Sequence, residues 1–182
     1  MSFQWKRRML TQEQQSTVAN VVNVQRIILV SLIAGPAAFI AFVLSQGAER
    51  RANEVSNLSL MAAAAAALPA IAAVVLPYVM ASQHRRAMTT DKIRAAIEAG
   101  GGNQITWLLG GWQSRNIVRA ALLEGAAFFN IVAYQTERQP YSLAIAVALL
   151  LGIVAMFPFR GRIEQWLERE IQLLRDAEQL RR

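Results

Sequence analysis

The residues of this chain best suited to chemistry stand in the stretch Ile117–Tyr134, IVRAALLEGAAFFNIVAY, where Arg119, Glu124 and Asn130 interrupt an apolar run. A carboxylate in such a run can bind a proton or a cation, or pair with a donor on another helix. If the run crosses a membrane, an ionised group near its middle costs about 2.5–3.5 kcal/mol on insertion scales, so a compensating partner is required. Glu124 lies about 10 Å from Ile117 along a helix that rises 1.5 Å per residue. Arg119 is five residues earlier, roughly 140° round the helix, so the two side chains do not pair within it. Arg119 instead reaches back toward the nearer boundary with its long stem. Ala121 and Gly125 flank the carboxylate at small-xxx-small spacing, which lets a second helix approach closely.

Three roles for Glu124 follow. It is protonated or hydrogen-bonded to a neighbouring helix; it binds a proton or cation on a pathway; or it pairs with a basic group of another subunit and fixes assembly. Asn130 and Arg119 belong to the same candidate ion, proton or assembly site.

Other chemistries are poorly served. The chain has no cysteine and one histidine, His84, so thiol chemistry and ligation by two histidines are excluded within it. No His/Asp/Glu grouping has metal-ligand spacing, and no nucleophile motif accompanies His84, Asp91 or Asp176. The glycines at 100–102 and 110–111 are not followed by Gly-Lys-Ser/Thr, so they form no phosphate loop. Neither a cofactor nor a metal is expected, and an enzyme acting alone is not.

The elements that must position these residues are helical. Of 182 residues, 54% are hydrophobic and 17% charged, against about 25% charged in a soluble domain. Four apolar runs, 27–44, 58–81, 117–134 and 141–159, each approach the ~20 residues that cross a bilayer. Three of them hold no charge. The expectation is an all-α integral membrane protein, one four-helix domain over 1–182. An amphipathic lead-in (1–25) precedes it, and a loop (82–115) joins its second and third helices. A C-terminal amphipathic helix (161–182) continues from the fourth. The first run starts too far into the chain, behind polar sequence, to read as a cleaved signal peptide.

The charge pattern orients the bundle. With the N-terminus inside, sixteen Lys and Arg fall on inner segments, against Arg50, Arg51 and Arg138 outside. That asymmetry predicts both termini in the cytoplasm and an inner-membrane location. It also accounts for the net charge of +7 without a nucleic acid partner; the expected partner is the bilayer, with its anionic headgroups on the inner side.

Local signals refine the helices. Gly35-Pro36 interrupts the first run and predicts a hinge or break. The six alanines Ala62–Ala67 make a thin second helix, with Ala62 and Ala66 as packing positions and neighbours pressed around it. Thr11 and Gln14 have capping-box spacing, and Asp91 can cap a short helix over Lys92–Ala99. Trp5, Trp107, Trp112 and Trp166 suit the membrane interface. Ile163, Leu167, Ile171 and Leu174 form an apolar stripe that could lie on the membrane, dock on the chain's own loops, or join subunits. The string ALLEGAAFFNIVAY resembles the ion-binding helix of rotary ATPase proteolipid subunits over about fourteen residues. That resemblance implies Glu124 as an ion carboxylate. The charge bias departs from it, because it puts the hairpin loops outside where a proteolipid has its polar loop in the cytoplasm.

The function expected is association. The chain would be an accessory or scaffold subunit of a membrane complex, or a homo-oligomer, with 161–182 available to a cytoplasmic partner. The alternative is a proton- or cation-conducting channel or transporter that uses Glu124.

Overall fold

The computed structural model describes residues 12–46, 57–88, 104–159, 161–167 and 169–170, and these are helical apart from short connections. The helices are α1 (Gln12–Ser45), α2 (Leu58–Met88), α3 (Gln104–Glu137) and α4 (Pro140–Ala155). A further helical segment begins at residue 161. Three stretches, Gln15–Ser45, Leu58–Gln83 and Leu108–Glu137, are long and apolar enough to cross a membrane. Helix α4 is apolar and shorter, 16 residues, about 24 Å at helical rise.

The helices overrun the apolar runs. Helices α1 and α3 have 34 residues each, about 51 Å, so much of the expected lead-in and of the 82–115 loop is helix. The Lys92–Ala99 helix, the Thr11 cap, Trp5 and the side chain of Trp107 lie outside the described residues. Helix α1 continues through Gly35-Pro36 without a break, and Pro36 is buried. Proline here removes a single N–H and leaves the rest of the ladder in place.

Helix α3 is central, and α1, α2 and α4 pack chiefly on it. The poly-alanine helix expected at the centre is instead peripheral. One face of α2, with Ser59, Ala62, Ala66 and Ala73, is buried, while Leu60, Leu68, Ile71, Val75 and Tyr78 are exposed. Small residues allow close approach on one side only, and the large apolar groups on the other side keep protein away from it. The main core joins Leu29 and Val43 of α1 to Ala73 of α2, Leu123, Ala127 and Ile131 of α3, and Ala146, Leu150 and Ile153 of α4.

A second, smaller core lies at the other end of α1 and α3. It unites Val18 and Val22 with Leu108 and Leu109, and with Ile163 and Leu167. The C-terminal stripe thus docks, in its described part, on the chain's own helices. It does not continue from α4. Residues 156–159 are non-helical, because a proline at 158 disfavours helical geometry in the residue before it. The last turn of α4 tightens, with Met156 N donating to Ile153 O (3.0 Å) and Phe157 N to Val154 O (3.0 Å). Arg26 Nη2 donates to Pro158 O at 3.4 Å and ties α1 to this break.

At the opposite end, the α3–α4 turn clasps two helix termini. Glu137 accepts from Leu58 N (2.6 Å) and Ser59 N (2.9 Å), the first N–H groups of α2. Arg138, in the left-handed region at φ 54, donates through Nη1 to Val43 O (3.2 Å) near the end of α1. Replacing Glu137 with Ala removes a two-bond helix cap, and thermal melts in mild detergent should show a loss of about 1–2 kcal/mol. A melt identical to the wild type would show that the cap contributes nothing.

Candidate functional site

The three polar residues of α3 meet three different surroundings: 119 and 130 share a side of the helix but stand about 16 Å apart along it, and 124 lies well round from both. Asn130 turns toward α2, Arg119 toward a cavity beside α2 and α4, and Glu124 toward α1. The structure does not bring them together as one site.

Asn130 is fully buried. Its Nδ2 donates to Ala126 O on its own helix (2.9 Å) and to Ala62 O on α2 (3.3 Å). The second bond falls inside the alanine run, where no side chain intervenes between the backbones. Asn130 therefore joins α3 to α2, a structural use of an amide in an apolar interface.

Glu124 is half-buried against α1 at Gly35. A Cβ placed on Gly35 would lie 3.4 Å from Phe128 Cζ and 3.9 Å from Glu124 Oε1. The absence of that Cβ lets Phe128 and Glu124 close onto α1. The next residue, Pro36, has no N–H, so the carbonyl of Leu32 lacks its usual helical donor. Phe39 packs on Phe128 with ring centroids 6.0 Å apart and caps this contact on the side of the Arg138 end. No hydrogen bond or ion pair to Glu124 occurs among the described residues. Gly35 was expected to act as a hinge; its visible effect is close approach.

Ala121 and Gly125 face away from all of this. Both are exposed, and a Cβ on Gly125 would meet nothing within 4 Å. Among the described residues, no helix uses the small-xxx-small pair beside Glu124. Ser114, Val132 and Thr136, also exposed, extend the same stripe along α3 at spacings of seven and four. This face looks out on the side opposite α4, with Glu124 at its rim.

Arg119 faces a cavity of about 480 Å³ whose lining includes Trp112, Asn116, Arg162, Leu123 and Met156. Its Nε is buried and has no partner among the described residues. Trp112 and Trp166, expected as separate interfacial anchors, pack together with centroids 6.4 Å apart, and Arg115 lies over Trp166 at 5.7 Å.

The sequence reading missed Glu137 and Arg138 as helix caps. Their signal was two opposite charges at the boundary of an apolar run, just before Pro140. It also missed Gln25, which is fully buried on the inward stripe of Val18, Val22 and Leu29. Neither amide atom of Gln25 has a partner among the described residues. No group of acidic, histidine or cysteine side chains among the described residues could hold a metal ion. No protein-family model, no curated protein and no solved structure matches the chain.

Two substitutions test this geometry. Asn130→Ala should lower stability in detergent by about 0.5–1.5 kcal/mol, the range for interhelical hydrogen bonds in membranes. Gly35→Ala should be tolerated, since 3.4 Å is an ordinary contact, whereas Gly35→Leu should part α1 from α3. Cysteine cross-linking between the two helices, clean in a chain without native cysteine, reads the difference; efficient cross-linking in Gly35→Leu would refute it.

Proposed function

We propose that the protein is a four-span membrane protein with both termini in the cytoplasm, and that it acts by association through the open face of α3. The single observation that carries this reading is that, among the described residues, Glu124 has no partner and the Ala121–Gly125 stripe beside it is unused. Lipid supplies no hydrophobic drive for helices to associate, so a close-packing surface of small residues beside a polar group is the feature that a partner helix needs. Docking there lets a donor from a second copy, or from another membrane subunit, reach the Glu124 carboxyl. The protein then serves as a scaffold or accessory subunit, without catalysis of its own.

The fourth span is supported by length. Helix α4 supplies about 24 Å of the ~30 Å of hydrocarbon, and the non-helical residues 157–159 carry the chain on from its end. Non-helical backbone at such depth needs its carbonyls satisfied within the protein, and Arg26 does this at Pro158. The orientation is supported by the sixteen inner and three outer basic residues.

A second reading, conduction of protons or cations, is favoured by one observation. Glu124 Oε1 stands beside Gly35, next to the proline that frees a backbone carbonyl. A carboxyl and a free carbonyl are together the minimal pair for a transient cation or proton site.

The readings separate experimentally. Under association, Gly125→Leu should convert an oligomer in mild detergent to monomer, and Glu124→Gln should weaken it, with no change in liposome conductance. A wild-type protein that is monomeric in detergent and recovers no partner from native membrane would sink the association reading. Under conduction, Glu124→Gln should abolish a flux that the wild type shows. For topology, Arg169→Cys should react with an impermeant maleimide only after the membrane is opened, and Arg50→Cys in intact cells. The reverse pattern would overturn the orientation.

A further inference from the structure

The cavity beside Arg119 has a form that the association reading leaves unused. It lies among α2, α3, α4 and the segment after 161, at the end of the bundle that carries Trp112 and Trp166. Its lining is divided by chemistry. Arg119, Arg162, Asn116 and Trp112 are its polar lining, with the Arg162 guanidinium over Phe159 at 5.9 Å, while Val74 and Leu123 are among its apolar walls. No acidic residue lines it. No carboxylate among the described residues pairs with either guanidinium, and Arg119 keeps a buried Nε without a partner. Two arginines lining one cavity and an unspent buried donor suit an anion, since guanidinium N–H groups bind phosphate oxygens in strong charge-assisted pairs.

The anion that fits has an apolar body. A volume of about 480 Å³ is far more than a phosphate group fills. Contacts between α2 and α4 are sparse, so little protein separates these two walls of the cavity. We infer that this cavity binds the headgroup of an acidic phospholipid of the inner leaflet, with the phosphate on Arg119 and Arg162 and an acyl chain between α2 and α4. Basic pockets between helices on the cytoplasmic side are the usual place for such headgroups. The site rests on the proposed membrane orientation and not on the association face of α3, which lies on the other side of the helix.

Native mass spectrometry of the full chain tests it, after extraction from vesicles of mixed phosphatidylglycerol and phosphatidylcholine. Oligomeric state and bound lipid appear as separate mass increments, so failure of one reading is distinguishable from failure of the other. The wild type should retain phosphatidylglycerol in preference to phosphatidylcholine. The Arg119→Gln/Arg162→Gln variant should lose that retention by at least about tenfold, since a single lost charge-assisted hydrogen bond already gives that ratio. Arg162 is exposed, so Arg162→Gln alone leaves the cores intact and should still reduce retention. Arg119→Lys should keep most of it, and Arg169→Gln, a charge change on the same side away from the cavity, should keep all of it. Equal retention of the two lipids, equal loss in Arg169→Gln, or displacement of the lipid by millimolar inorganic phosphate would each overturn the inference.

Discussion

Two opposite charges on one turn meet two helix ends of opposite polarity, and the placement of α1 and α2 follows from that. A helix ends in unsatisfied N–H groups at its start and carbonyls at its finish, with partial charge to match. Glu137 takes the starting N–H groups of α2, and Arg138 takes a carbonyl near the finish of α1. The two residues are adjacent, so both flanking helices are pinned at the same level of α3. Next to them α3 must stop and α4 must begin, which is why Arg138 adopts a left-handed backbone angle and Pro140 follows directly. Where water is scarce, such satisfaction of helix ends is a requirement rather than an improvement.

With both ends fixed, register further down is set by contact. Asn130 meets the alanine backbone of α2 one turn below the capped residues, and Gly35 meets Glu124 and Phe128 on the other flank. The polar residues of α3 therefore divide the work. Asn130 holds a neighbour, Arg119 faces a cavity, and Glu124 is left at the rim of an open face. A single helix presents all three because 124 lies well round it from the other two, about 140° from 119 and about 120° from 130, while 119 and 130 share a side but stand about three turns apart along the axis.

Much of this architecture is legible in the sequence because lipid imposes simple rules. Apolar runs near 20 residues, the inward alanines Ala62 and Ala66, and the anomaly at Glu124 can all be read from composition and spacing. What could not be read is which helix is central. Poly-alanine permits close packing, yet permission acts on one face of α2 alone, and the large residues of its other face decide its place. Gly35-Pro36 misled in a related way. The pair signals a weakened ladder, whereas the structure uses the missing Cβ of Gly35 for contact and keeps the helix whole. The caps at Glu137 and Arg138 depend on distances to residues 79 and 95 positions away, which no local pattern encodes. The break at 156–159 was signalled by Pro158, which the sequence reading placed at the end of a span instead of before a new helix.

The flanking helices are thinly covered. In their most apolar windows only 17% of α1 and 22% of α2 is buried, against 39% of α3. In water so much exposed apolar surface would drive aggregation; in a bilayer it is the normal contact surface with lipid. Lipid therefore accounts for the exposed Leu60, Leu68, Ile71 and Tyr78 of α2 without further help. It does not account for Ala121 and Gly125, because small residues leave a furrow that acyl chains contact less well than a helix ridge would. Nor does it account for Glu124, whose carboxyl gains nothing from hydrocarbon. The large exposed residues and the small ones thus differ in what a bilayer by itself would explain.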